Sequence, residues 1–208
     1  MAAIRLTLTL KALVCTAVAL LVAVVWTQPA NAWTWARGVT VYNGSGLCVR
    51  GDAGIDHKRP GALSGNLAYS NTYALTQGCG TGLSRPDGWA ATRATVYRWN
   101  GSAWTVCRTS NWKYGATGQT GGEFPGPWGP ELVFDWGGWQ SCGQGYYGTL
   151  AAAYVWDGSA WRGGDVWSGY EYASATSFHG ARQKAPERAP SRHTAPPPVH
   201  PKTPKHAR

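Results

Sequence analysis

Apolar and polar residues alternate with a period of two along much of the chain between residues 33 and 180. From Glu131 to Trp136, the side chains Leu132, Phe134 and Trp136 share one parity, and Glu131 and Asp135 share the other. That is the pattern of a strand with one core face and one solvated face. The same reading predicts strands over Val39–Tyr42, Leu47–Arg50, Leu67–Leu75, Gly148–Trp156 and Val166–Tyr172. Beyond the first 32 residues, no stretch longer than about one turn carries a helical period. The chain is expected to be all-β, a compact sandwich or small barrel.

Turn signals sharpen the picture. Asn-Gly or Asp-Gly between alternating apolar residues marks a hairpin, because both residues tolerate positive φ in a type I′ turn. The signal appears as Asn43-Gly44-Ser45, Asn100-Gly101-Ser102 and Asp157-Gly158-Ser159, at intervals of 57 residues. The second and third copies match further, with Tyr97, Trp99, Ala103 and Trp104 aligning with Tyr154, Trp156, Ala160 and Trp161. Upstream, Cys79-Gly80-Thr81-Gly82 aligns with Cys142-Gly143-Gln144-Gly145. These matches predict a duplicated hairpin unit, one copy near 38–104 and the other near 95–161. Two or three hairpins are too few for a propeller. Whether each loop has two or four residues, Tyr97, Trp99 and Trp104 share one face, and Tyr154, Trp156 and Trp161 repeat it.

The first 32 residues are built differently. Arg5 and Lys11 precede an uncharged apolar run from Ala12 to Trp26, then Pro29 and the small-residue site Ala30-Asn31-Ala32. This is the plan of a secretory signal peptide cleaved after Ala32, and the run falls short of the roughly 18–20 residues that span a bilayer. Cleavage removes Cys15 and leaves Cys48, Cys79, Cys107 and Cys142. An even number in an exported chain points to disulfides. Repeat logic favours Cys48–Cys79 and Cys107–Cys142 over the other two pairings. Each bridge would contribute about 3–4 kcal/mol in the chain-entropy model.

Composition separates the body from the tail. The formal charge is +9, yet residues 33–180 hold ten basic and nine acidic side chains. Residues 181–208 hold seven basic side chains, one acidic side chain and seven of the 13 prolines. The near-neutral body argues against a nucleic-acid surface. The tail is expected to be disordered and partly polyproline II. Its functional reading is an electrostatic tether to an anionic polymer or membrane surface; the alternative is an inert solubilising extension.

Twelve tryptophans remain after residue 32. Trp is seldom fully enclosed, so at least half are assigned to the core and the rest to a contact surface. Exposed aromatic rings stack on sugar rings, which points to a glycan or cell-wall polymer as partner. The candidate ligand-binding residues are Trp99, Trp104, Trp156 and Trp161 on the hairpins, Trp139, and Glu123, Phe124 and Trp128 in a proline-stiffened loop over 120–130. Catalytic patterns are sparse. Glu131 and Asp135 are separated by roughly 13 Å along one strand, too far for a glycosidase pair on that strand. No Gly-x-Ser-x-Gly elbow occurs, and bridged cysteines leave no thiol nucleophile. Asp52, Asp56 and His57 read as a polar turn, and Arg50-Gly51-Asp52 as a strand-end turn. No cofactor or metal is expected. The sequence thus favours a secreted, non-catalytic β module binding glycan or cell-wall polymer. The alternatives are a small hydrolase of such polymers with Glu123 as its most exposed acid, and an inhibitor or coat-type protein that uses the stiff loop.

Overall fold

The computed structural model describes residues 33–56, 66–118 and 128–173, together with Pro190. Outside them lie the expected signal segment 1–32, the tail 181–208 apart from Pro190, and loop residues 120–127 with Glu123 and Phe124. Among the described residues the order of elements is β1 (Trp33–Gly44), β2 (Leu47–Asp56), β3 (Leu67–Thr76), β4 (Arg85–Trp99), β5 (Trp104–Thr109), β6 (Lys113–Thr117), β7 (Trp128–Asp135), α1 (Trp139–Cys142), β8 (Gly145–Trp156), β9 (Trp161–Trp167) and β10 (Glu171–Ala173). No helix among them is long and apolar enough to cross a membrane.

The strands form two antiparallel sheets. The first runs β1-β2-β3-β7; in the second, β4 pairs β8, β5 and β6 both pair β4, and β9 and β10 both pair β8. Alternation sorts the side chains between them. Leu47, Val49, Ala53 and Ile55 of β2 face inward, as do Tyr147, Ala151, Ala153 and Val155 of β8, and all are fully buried. Small residues bring the sheets close together. A Cβ on Gly51 would lie 2.7 Å from the Ala153 Cβ and 3.0 Å from the Val166 Cγ2. At one end of this core Trp136 is fully buried against Tyr147, ring centroids 4.6 Å apart. Its indole Nε1 donates to the Asp56 carbonyl at 2.9 Å, which satisfies the polar edge of a buried Trp.

Disulfides join Cys48 to Cys79 and Cys107 to Cys142. The first ties β2 to the loop after β3, and the second ties β5 to the end of α1. Cys107 and Cys142 pack against the same apolar cluster as Trp136.

Several elements differ from the sequence expectation. The strand over Val166–Tyr172 is two strands, because Ser168 breaks the edge. Its N–H donates to Thr149 and its hydroxyl accepts from the Thr149 N–H, which is how Ser competes with a ladder. Arg50-Gly51-Asp52 is not a strand-end turn but the middle of β2, paired on both edges. The first hairpin turns at Ser45-Gly46, with φ of 52° and 77°, and not at Asn43-Gly44. Asn43 instead accepts the Gly78 N–H with its side chain.

The other two hairpins are alike. Trp99 pairs with Trp104 and Trp156 with Trp161, so each loop has four residues. Asn100 Oδ1 accepts the N–H groups of Ser102 and Ala103 at 2.9 and 2.8 Å, and Asp157 Oδ1 accepts those of Ser159 and Ala160 at 2.7 and 2.8 Å. A side-chain acceptor, not a type I′ turn, thus closes each loop. Between these hairpins, Ala94 of β4 stands opposite Ala151 of β8. Ser110 makes the same pair of backbone bonds to Ala94 that Ser168 makes to Thr149.

Candidate functional site

Each sheet has an outer face, and the two differ. On β1, Trp33, Trp35 and Arg37 share one side because they are two residues apart. Trp33 and Trp35 stack with centroids 4.6 Å apart, and the Arg37 guanidinium lies 4.6 Å from the Trp35 centroid. Trp35 is therefore flanked by a ring on one side and a cation on the other. The residue opposite it is Gly54, and a Cβ there would come within 2.5 Å of the indole. Glycine at that position lets the ring lie across the strand. Tyr69, the next partner across the sheet, meets Trp35 edge-on at 4.8 Å.

A bulge follows. Between Ala36 and Val39 the register of β1 against β2 shifts, and Gly38 takes φ of 60°. Two residues then face one, the arrangement that re-aims a side chain beside a site. The one is Asp52. Its Oδ1 accepts the Gly38 N–H at 2.6 Å, and its Oδ2 accepts the Tyr73 hydroxyl. Asp52 is 5% exposed, so these bonds hold a nearly enclosed carboxylate. Trp35, Arg37, Gly38, Asp52, Tyr69 and Tyr73 line a half-open pocket of about 370 Å³.

The register brings a second carboxylate to this face. Asp52 stands opposite Asn71, and Asn71 stands opposite Glu131 on β7. Burial, then the charges of Glu131 and Asp52, push the Tyr69 phenol up to about 12, with Arg37 opposing. Burial and the bond to Asp52 push Tyr73 higher still. Both phenols keep their protons through neutral pH. The pocket thus offers the Tyr69 phenol, the Tyr73 oxygen as an acceptor since its proton is given to Asp52, a stacked guanidinium, a carboxylate and three aromatic rings.

The outer face of the second sheet carries the hairpin tryptophans. Trp99 meets Trp104 edge-on at 5.6 Å, and Trp156 meets Trp161 in the same way at 5.6 Å. Trp104 also meets Trp167 at 4.9 Å, and Tyr97 meets Trp167 at 6.4 Å. At the other end Trp112 meets Tyr154, and Tyr114 meets Trp161. Tyr97, Tyr154 and Trp156 are buried, as are Thr95, Leu150 and Ala152 on the same face. These rings form a packed layer, most pairs meeting edge to face, with the Arg93 guanidinium 4.5 Å over Trp112.

The residues singled out from sequence are therefore dispersed. Trp99, Trp104, Trp156 and Trp161 stand on the second sheet, away from the pocket. Trp139 opens α1 and packs against the core cluster around Trp136. Trp128 begins β7, its backbone paired with Tyr73. Sequence reasoning missed Trp35, Arg37, Tyr69 and Tyr73 and assigned Asp52 to a turn. Two signals could have found them: Trp33, Trp35 and Arg37 at alternate positions, and Tyr69, Asn71 and Tyr73 at alternate positions of the strand expected at 67–75. Comparison with known proteins adds no family to this description, since no family model, curated protein or solved structure matches the chain.

Proposed function

We propose that this is a secreted, non-catalytic β module that binds a glycan or cell-wall polymer, and that a sugar unit sits in the pocket on the first sheet. The observation that carries the reading is one pocket in which Trp35, Tyr69 and Tyr73 stand beside Arg37 and Asp52. Small-ligand sites combine apolar walls with a few placed polar groups in this way. A sugar's C–H face would rest on the tyrosine rings and the rim of Trp35, and its hydroxyls would meet Arg37, Asp52 and the phenols. Two disulfides are compatible with an extracellular site of action, and the signal-like segment 1–32 points the same way. The basic tail would add attraction to an anionic polymer. The matching hairpins, paired about Ala94 and Ala151, support a duplicated unit.

The test is retention of the mature chain, residues 33–208, on insoluble peptidoglycan, chitin and cellulose at low and high salt. A form ending at Gly180 separates the domain from the tail. Retention of both forms at high salt, reduced about tenfold or more by Trp35→Ala, is the expected result. Retention that Trp35→Ala leaves unchanged would remove the pocket from the reading.

One observation favours a second reading, hydrolysis of the same polymers. Asp52 and Glu131 flank Asn71 on one face, their backbones two strand spacings apart, roughly 9.6 Å. Side chains leaning towards Asn71 would bring the carboxyl groups closer than the backbones, into the range of about 6.5–9.5 Å used by inverting glycosidases. Release of new reducing ends by the wild-type chain, abolished by Glu131→Gln, would establish it.

A further inference from the structure

We infer that the sugar held by this pocket carries a charged amino group, as a de-N-acetylated amino sugar does; the inference rests on the glycan reading above. Three features of the pocket support it. The first is its walls. Tyr69 and Tyr73 line it with aromatic rings, whose faces attract cations, while the faces of Trp35 are taken by Trp33 and Arg37.

The second is the pair of carboxylates. Asp52 and Glu131 rise from the same outer face on either side of Asn71. Asn71 between them is buried, so an ammonium in the pocket would meet Asp52 directly at the wall and Glu131 from beyond Tyr69. Asp52 is nearly enclosed, so its charge is poorly screened by solvent. Its two oxygens each accept one bond and have lone pairs left for another donor.

The third is what the basic groups do. Among the described residues, Arg37 is the one cation lining the pocket, and its guanidinium is stacked on Trp35. Arg50 shares the face beside Tyr73, but its Nε is directed to the Thr40 hydroxyl at 3.4 Å. Beside Tyr69 the carboxylates outweigh the guanidinium: Glu131 and Asp52 each push its phenol up more than Arg37 pulls it down. A uronic acid or phosphate-bearing unit would meet those carboxylates with the wrong sign. The chain as a whole carries +9, so non-specific attraction would favour anionic polymers. A preference for the cationic sugar would therefore have to come from the pocket.

The experiment is a calorimetric titration of the mature full-length chain with two oligosaccharides of equal length. One is a glucosamine oligomer and the other its N-acetylated counterpart, at a pH that keeps the free amine charged and at fixed salt. The amino form is expected to bind about tenfold more tightly. Glu131→Gln, at an exposed position, should lower the ratio of affinities about threefold, and Arg37→Ala should raise it by a similar factor. Asp52→Asn should lower it most, but Asp52 also caps the bulge, so the ratio in Glu131→Gln decides. A ratio at or below one, or a ratio that neither Glu131→Gln nor Arg37→Ala moves, overturns the amino-sugar inference and leaves the glycan reading standing. Absence of binding by both oligomers and by the insoluble polymers overturns both.

Discussion

On the outer face of the four-stranded sheet, Trp35, Tyr69 and Tyr73 stand among Asp52, Glu131 and Arg37. On the outer face of the six-stranded sheet, Trp99, Trp104, Trp156, Trp161 and Trp167 pack against one another, with the Arg93 guanidinium over Trp112 and Asp165 acting on the Tyr97 and Tyr154 phenols. The two faces draw on the same aromatic vocabulary with opposite results. Where rings have rings for neighbours, edges meet faces and the layer closes, burying Tyr97, Tyr154 and Trp156. Where a bulge and charged side chains interrupt the rings, a pocket stays open. The difference teaches that aromatic density measures packing, and that charged side chains among rings are not enough to open a site: on the first sheet the bulge at Gly38 sets them around a pocket.

The largest expected effect breaks the comparison from the packed side. Trp156→Ala should cost about 3–5 kcal/mol of unfolding free energy, the usual loss for emptying a buried tryptophan site. It should leave retention on polymer unchanged per folded molecule. Trp35→Ala should do the reverse, with a smaller stability loss and about tenfold weaker binding. Denaturant melts and polymer retention on both variants check this. A Trp156→Ala chain that melts like wild type and loses retention would exchange the roles of the two faces.

A second contrast lies in alkaline pH. Tyr69 sits near 12 in the folded chain against an ordinary 10.0, through burial first and then Glu131 and Asp52. A phenol whose folded pKa is raised favours the folded state below its unfolded value, and that contribution is lost as pH rises through the folded value. Stability should therefore fall between about pH 10 and pH 12. Tyr147 in the core is also raised to about 12, by burial, and contributes to the same limb. Tyr69→Phe should make the fall shallower, because one late-titrating phenol is gone. Melting temperatures measured across that range would show it, and an unaltered slope would remove Tyr69 from the account.

Much of the fold is legible in the sequence because it depends on local rules. Alternation at Leu132, Phe134 and Trp136 against Glu131 and Asp135 marks β7, and burial along that strand follows it. Asn100 and Asp157 announce their turns because the residue that caps the loop is part of it. The pocket is not legible, because it depends on pairing. Nothing in the sequence around Asp52 says that Asn71 will stand beside it and Glu131 beyond, since those contacts come from the register of three strands distant along the chain. The bulge at Gly38 is equally hidden: a lone glycine in a strand pattern signals a bulge only weakly. Trp35 could have been nominated from its spacing with Arg37, but counting tryptophans directs attention to the hairpins, where repetition is strongest.

The two matched hairpins allow the finest test, since one position differs in charge. Asn100 and Asp157 cap the same loop through the same oxygen, but Asp157 also pairs with Arg162, Oδ2 to Nε 2.7 Å. The Arg162 guanidinium, with the loop N–H groups adding to it, holds the Asp157 carboxyl well below the usual carboxylate range. A carboxylate depressed in the folded state contributes stability above its unfolded pKa and loses it as pH falls through the folded value. Asp157→Asn keeps the cap, as Asn100 demonstrates, and removes the charge. The variant should match wild type in polymer retention and lose a small part of its stability at neutral pH. Its acid limb should be flatter, because protonation at this position no longer costs anything. Asn100→Asp should do less than restore the symmetry, since Thr105 stands where Arg162 stands in the other hairpin and its hydroxyl is given to the Arg98 carbonyl. Acid melts of the two variants measure this directly. Equal acid limbs for Asp157→Asn and wild type would mean that the 2.7 Å ion pair contributes nothing beyond the cap.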